Sequence, residues 1–196
     1  MRVLYGMAPN EADSQSDRIF VGELPFVPMI SETEIRDRVR DLGQALHNKL
    51  AGSEPVFLVM LKGAFVFAAD LVRASGLAAE ISFVRTKSYH GTERSGKIDV
   101  LLAPEEELVR DRPVVLVEDI VDSGYTMQAF LPLLTEMGPK SVTLVTLLHK
   151  PTAAKVKIDI DLVGFTIPKQ FVVGYGLDYN GRGRQLPAIY QLAQDY

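Results

Sequence analysis

The sequence predicts an α/β fold in which a central, mostly parallel sheet is flanked by helices, and three observations predict it. Val56 to Leu61 and Val114 to Val117 are apolar runs without a polar interruption, the pattern of strands buried on both faces. Each leads into a segment of helical pattern, and a third apolar run, Val142 to Leu148, follows the second helix. Strands that alternate with helices imply a parallel sheet with right-handed crossovers.

Taken in order, residues 1 to 30 show no firm periodicity and carry Pro9, Pro25 and Pro28, which predicts an irregular arm over the body. Ser31-Glu-Thr-Glu34 is a capping box, and Ile35, Val39, Leu42, Leu46 and Leu50 recur at helical spacing up to Ala51, where Gly52 ends the helix. The Val56 strand and an Ala64 to Ala74 helix form a β-loop-α unit. Residues 80 to 87 alternate as a strand. Ser88 to Lys97, with Gly91, Gly96 and several charges, has the composition of a mobile loop, and Ile98 to Leu102 is the returning strand. Beyond Pro104 and three glutamates lie the Val114 strand, a Tyr125 to Met137 helix stopped by Gly138-Pro139, and the Val142 strand.

Composition narrows the functional classes. With 196 residues, 47% hydrophobic and 23% charged, the chain can bury one sizeable core and has no room for a second large domain. There are no cysteines, which removes disulfides, thiolate nucleophiles and cysteine metal sites, and the three histidines His47, His90 and His149 do not share metal-ligand spacing. A net charge of −4 leaves no general footprint for nucleic acid. No stretch approaches the roughly 20 apolar residues of a membrane span, so a cytoplasmic protein is expected.

The most informative segment is Val114-Val-Leu-Val-Glu-Asp-Ile-Val-Asp-Ser-Gly-Tyr-Thr-Met127. Its buried strand would end at the carboxyl edge of the sheet, where ligands sit in open α/β folds, and would deliver Glu118 and Asp119 to the mouth of a crevice. Asp122-Ser-Gly-Tyr-Thr126 then opens a helix. Free backbone N–H groups, Gly124 for close approach, and the Ser123 and Thr126 hydroxyls make an anion site. Carboxylates for ribose hydroxyls beside a turn for phosphate suit a sugar phosphate. The plainer alternative is that Asp122 or Ser123 only caps the helix.

This segment resembles the phosphoribosyl-pyrophosphate motif of type I phosphoribosyltransferases, in the wording of the 6-oxopurine (hypoxanthine-guanine) branch. Leu61-Lys-Gly-Ala-Phe65, Lys87-Ser-Tyr89 and Phe171-Val-Val-Gly-Tyr-Gly-Leu-Asp-Tyr-Asn180 agree in order and spacing, so the likeness covers roughly residues 54 to 190. It implies a single domain with a core of about residues 30 to 165. The N-terminal arm and residues 166 to 196 would form a small hood over the purine.

The resemblance implies a role for each segment. Glu118, Asp119, Ser123, Gly124, Tyr125 and Thr126 would hold ribose and its phosphate, with Asp122 as the acid/base at purine N7. Lys62 and Gly63 would form the pyrophosphate loop, in which relatives often carry a cis peptide, and Arg184 would contact the pyrophosphate. Ser88 and Tyr89 would begin a loop that closes over the reaction centre. Lys150 would donate to a 6-oxo group, which suits an ammonium with three donors and no acceptor and disfavours adenine. Phe171 would stack on the base and the Val172 backbone would read its edge. Asp178 would bind Mg2+, which keeps several waters and needs few protein carboxylates.

The implied reaction transfers 5-phosphoribosyl from phosphoribosyl pyrophosphate to N9 of hypoxanthine or guanine in purine salvage, giving IMP or GMP and pyrophosphate. A xanthine-preferring sister enzyme is one alternative. The other is a non-catalytic regulator of the same fold, which predicts a nucleic-acid-binding module not evident here. Lys169-Gln170 before Phe171, where many relatives carry an acid and then a lysine, leaves the preferred base open. Relatives assemble as homodimers or homotetramers.

Overall fold

A computed structural model describes residues 18–88 and 98–194. The chain opens with two strands, β1 (Ile19–Val21) and β2 (Leu24–Ile30), followed by helix α1 (Glu32–Leu50). The capping box at its start is complete: the Glu34 backbone N–H donates to Ser31 Oγ at 3.3 Å and the Ser31 N–H donates to Glu34 Oε2 at 2.9 Å. Then come β3 (Val56–Leu61), α2 (Phe65–Ser75), β4 (Glu80–Ser88), β5 (Ile98–Leu102), the short α3 (Glu106–Val109), β6 (Pro113–Val121), α4 (Tyr125–Glu136) and β7 (Ser141–His149). A turn of 3₁₀ helix at Pro151–Ala153 precedes β8 (Leu162–Thr166), β9 (Val172–Val173) and β10 (Ile189–Leu192).

Two sheets result. The larger has the order β5-β4-β3-β6-β7-β8, parallel throughout except for β5, which returns antiparallel to β4. Its centre is the apolar pair read from the sequence, since Val56–Val59 and Val114–Val117 are all essentially inaccessible and pair in register. Helices α1 and α2 pack on each other, with Ile35, Val39, Leu42, Leu46 and Leu71 turned into the core. Gly43 is required there, because a Cβ would stand 2.6 Å from the Ala74 carbonyl carbon.

The smaller sheet, β1-β2-β10-β9, brings residues near the start of the chain against residues near its end. This corrects the reading of residues 1 to 30 as an irregular arm, since residues 19–21 and 24–30 are strands. The prolines that hid β2 are accommodated by its neighbours: Pro28 lies opposite Tyr190, where a register shift interrupts the ladder, and the Pro25 carbonyl still accepts from the Ala193 N–H at 3.0 Å.

Three further differences bear on the site. The β6 strand does not stop at Val117 but continues through the acids to Val121, paired with β7 along the way. Ser88 closes β4, paired with Ile98, instead of opening the loop, because the β4–β5 ladder extends to that residue. Tyr89 and the rest of the expected loop to Lys97, His90 included, lie outside the described residues. Strands β8 and β10 were not read from the sequence.

Candidate active site

The β6 strand carries Glu118 and Asp119 to the sheet's carboxyl edge, and neither acid is well solvated. Glu118 Oε2 is sealed from solvent without a hydrogen-bond partner among the described residues. Burial, and then the charge of Asp119, push the Glu118 carboxyl well above the usual carboxylate range. Asp119 is raised to about 6, mainly by burial, against opposing hydrogen bonds from the Ile120 and Asp119 backbone and the nearby Arg184 charge. Such pairs of under-compensated acids are what a site for a polyhydroxylated or cationic ligand looks like before the ligand arrives.

After Val121 the chain makes the turn Asp122–Gly124. Gly124 occupies the N-cap of α4 at φ 84°, and no side chain caps the helix. The N-cap position is thus taken by Gly124 and not by Asp122 or Ser123, and a helix start of this kind is a place where an anion can be held. A Cβ on Gly124 would meet Val156 Cγ2 at 2.8 Å, and the Ser123 carbonyl accepts from the Lys155 and Val156 N–H groups at 3.0 and 3.2 Å. The 155–156 segment thus backs the turn. A cavity of about 460 Å³ opens here, lined by Glu118, Asp122, Ser123, Gly124, Tyr125, Thr126 and Lys155 among others. Lys155 was not singled out from the sequence; its only signal there is a cation a few residues beyond the Val142 strand.

Lys150, at the end of β7, is buried, and its Nζ lies 3.3 Å from Asp122 Oδ2. The expected 6-oxo donor and the expected acid/base are thus neighbours although 28 residues separate them.

Gly63 follows β3, and the peptide between Leu61 and Lys62 is cis. The unusual bond lies on the amino side of Lys62, whose side chain is exposed. A Cβ on Gly63 would fall 1.4 Å from Asp119 Oδ2, so the acid rests directly on the glycine backbone. On its other side, a Cβ on Gly176 would fall 2.1 Å from the Gly63 carbonyl oxygen. The segment 174–184 is therefore packed against the Lys62-Gly63 turn. Within it Asp178 is doubly engaged: Oδ2 accepts from the Gly181 N–H at 2.6 Å, and Oδ1 pairs with Arg184 Nη2 at 2.6 Å. Arg184 Nη1 also donates to the Gly176 carbonyl at 2.6 Å. Asp178 and Arg184 both act electrostatically on Asp119, one raising and the other lowering its proton affinity.

Phe171 stands on the small sheet beside β9 and is 44% exposed, so it is not a core residue. Its ring packs with Phe26 (centroids 6.1 Å apart, tilted) and with Tyr179 (5.9 Å, T-shaped), and close to half of the residue remains accessible. Val172 is buried and pairs with Gln191. Of the other histidines, His47 Nδ1 contacts the Ser75 carbonyl at 2.9 Å and His149 ends β7.

The donor set fits a hard divalent cation that takes most of its ligands from elsewhere. Among the described residues no three metal-ligating side chains form a cluster, yet Glu118 has an orphaned oxygen and Asp119 a raised proton affinity. Mg2+ meets such sites through one or two carboxylates plus substrate oxygens and water. A cavity of about 820 Å³, mostly apolar, lies between α1, α2 and residues 184–187 and borders Arg184.

Residues 31–180 match the phosphoribosyl transferase domain, and the chain belongs to that family. More narrowly it belongs with the hypoxanthine phosphoribosyltransferases. It is 42% identical over 82% of its length to the hypoxanthine phosphoribosyltransferase of Buchnera aphidicola, covering 92% of that protein. It superposes on a hypoxanthine phosphoribosyltransferase from Staphylococcus aureus with a TM-score of 0.80 at 33% identity, covering 86% of this chain and 91% of the other. The enzyme of Trypanosoma cruzi, solved in complex with its product IMP, is 31% identical with a TM-score of 0.79, covering 86% and 94%. The chain is thus a phosphoribosyl-transferring enzyme of purine salvage with the type I fold expected from its motifs, and nothing in these likenesses supports the regulatory alternative. No helix among the described residues is long and apolar enough to cross a membrane.

Proposed function

We propose that this enzyme transfers the 5-phosphoribosyl group of phosphoribosyl pyrophosphate to N9 of a 6-oxopurine, hypoxanthine or guanine, giving IMP or GMP and pyrophosphate. The observation that carries the reading is the 3.3 Å pair of Lys150 Nζ and Asp122 Oδ2 beside the phosphate cavity. In a 6-oxopurine, O6 and N7 are adjacent acceptors on one edge of the base. An ammonium beside a carboxyl group matches that edge, with Lys150 donating to O6 and Asp122 exchanging a proton at N7. Adenine, with an amino group at position 6, would oppose donor to donor.

The remaining residues supply position and charge. The open first turn of α4 holds the 5-phosphate through its backbone N–H groups and the Ser123 and Thr126 hydroxyls, with Tyr125 beside them. Glu118 and Asp119 accept from the ribose hydroxyls. Phe171 stacks on the base while the Val172 backbone reads its edge. Lys62, Gly63 and Arg184 hold the pyrophosphate, Arg184 by exchanging its internal partners for phosphate oxygens. Asp178, whose charge reaches Asp119, would hold Mg2+, which when bound supplies neutralisation of the departing pyrophosphate. As the C1–pyrophosphate bond breaks and the sugar gains positive charge, catalysis by the chain's own residues is mostly positioning and preorganised charge. The small sheet is the hood over the purine, and the closing loop begins after Ser88, at Tyr89. We place the enzyme in the cytoplasm as a homodimer or homotetramer.

The test is a steady-state assay with magnesium and phosphoribosyl pyrophosphate, offering hypoxanthine, guanine, xanthine and adenine separately. Turnover of hypoxanthine or guanine with adenine inert is the expected result. Equal turnover of adenine would overturn the role given to Lys150, and none with any base would overturn the transferase reading for this chain.

A further inference from the structure

The segment that carries Asp178 and Arg184 is tightly tied to itself: the Gly176 N–H donates to the Arg184 carbonyl at 3.0 Å and the Tyr175 N–H to the Leu186 carbonyl at 2.8 Å. Such a loop moves as a unit unless something fixes it to the body. The Tyr175 hydroxyl leaves the loop and donates to Asp70 Oδ2 at 2.5 Å, 105 residues away in sequence, on α2. The position is imposed, not relaxed. Tyr175 sits at φ 48°, a left-handed conformation that a bulky aromatic residue adopts only where its surroundings demand it, between two glycines at φ 103° and 102°.

Helix α2 is the element that follows the Lys62-Gly63 turn, so Asp70 and that turn belong to one rigid piece. Other contacts between the pieces, such as Gly176 against the Gly63 carbonyl and the burial of Tyr175 and Leu177 in the core, are steric or apolar and have no hydrogen-bond direction of their own. We propose that Tyr175 and Asp70 form a clamp that holds the Asp178–Arg184 segment in register with the Lys62-Gly63 turn, making them positioning residues for the pyrophosphate end of the substrate; this rests on the reading of the site given above. Tyr175 is buried, and burial together with the Asp70 hydrogen bond raises its proton affinity far beyond the working range, so the hydroxyl stays a donor at every relevant pH. Asp70 has a second partner, the Arg73 guanidinium one turn on, which engages its other oxygen.

The experiment compares the parent with Tyr175→Phe, Asp70→Ala, Asp70→Asn and the double variant Tyr175→Phe/Asp70→Ala. Losing one hydrogen bond to a charged group weakens binding by about tenfold, so Tyr175→Phe and Asp70→Ala should each raise KM for phosphoribosyl pyrophosphate by roughly that factor while KM for hypoxanthine stays put. Asp70→Asn keeps an acceptor for the hydroxyl and should restore most of the loss. The double variant should be no worse than either single one. A KM for phosphoribosyl pyrophosphate that does not move in Tyr175→Phe would overturn the clamp, as would parallel shifts in both KM values tracking a fall in melting temperature. Calorimetric binding of magnesium pyrophosphate to the same samples separates this from the transferase reading. Equal binding by parent and Tyr175→Phe sinks the clamp alone, whereas a parent that binds pyrophosphate but turns over no base sinks the transferase reading and leaves the clamp measurable.

Discussion

Lys150 Nζ stands 3.3 Å from Asp122 Oδ2, with the ammonium buried and the carboxylate half-exposed. A buried ammonium needs a partner, and here the partner is the group assigned to exchange a proton with the base. Asp122→Asn keeps the shape but not the proton affinity, so kcat should drop by about a hundredfold or more while binding of phosphoribosyl pyrophosphate is largely retained. Single-turnover rates together with direct binding check this, and near-parental turnover would remove Asp122 from that role.

Truncating the ammonium should act on the base. Lys150→Ala removes the donor proposed for O6 and should raise KM for hypoxanthine by roughly 10- to 100-fold, with KM for phosphoribosyl pyrophosphate changed less than about twofold. Initial-rate measurements with each substrate varied in turn give the split. Equal changes in both constants would mean that Lys150 supports the fold of the site and does not read the base.

The acid pair Glu118-Asp119 within β6 should be a stability cost. Asp119 has its proton affinity raised from the ordinary 3.8 to about 6, so the folded chain binds the proton more tightly than the unfolded one. Stability should fall as pH rises from about 4 to about 6 and stay flat above, as far as Asp119 alone is concerned, and Glu118 extends the fall further upward. At about 1.4 kcal/mol per pH unit, the Asp119 contribution is at most about 3 kcal/mol. Asp119→Asn should therefore melt several degrees higher than the parent at pH 8, by about 3–8 °C, with the gap closing near pH 4, while activity is lost. Melting curves across that range decide it; a variant no more stable than the parent at pH 8 would contradict the burial argument.

Gly63→Ala should be among the most damaging small substitutions. The added methyl would overlap Asp119 Oδ2 at 1.4 Å and Cγ at 2.4 Å, so the acid must leave its place beneath the turn. A destabilisation of about 1–3 kcal/mol is expected from overpacking, and loss of kcat/KM for phosphoribosyl pyrophosphate should exceed what that destabilisation alone produces. Thermal melting and kinetics on one preparation make the comparison.

Phe171→Ala should show the opposite balance. The ring is 44% exposed and packs with only Phe26 and Tyr179 among the described aromatic rings, so little core packing is lost. The stack on a base is worth about 1–3 kcal/mol, which corresponds to a rise in KM for the purine of roughly 5- to 150-fold with a small change in melting temperature. An unchanged KM would place the base elsewhere.

The sequence by itself determined the central strands, the capped first helix, the order of helices and strands from Ser31 to His149 apart from the short α3, and the strand, acid pair and turn at 114–127. Uninterrupted apolar runs, helical spacing and a glycine-bearing turn are local patterns, and short-range physics is enough to read them. It also carried the family, because four motifs in order leave little freedom. The tertiary structure decided the rest. Residues 24–30 became a strand because β10 near the other end of the chain was there to pair with them, and residues 19–21 pair back on that strand, which no periodicity interrupted by Pro25 and Pro28 reveals. Asp119 on Gly63, Lys150 on Asp122 and Tyr175 on Asp70 join residues from 28 to 105 positions apart. Such contacts depend on where the sheet's carboxyl edge and the small sheet bring side chains together in space, and a sequence pattern, which records neighbours along the chain, carries no trace of them.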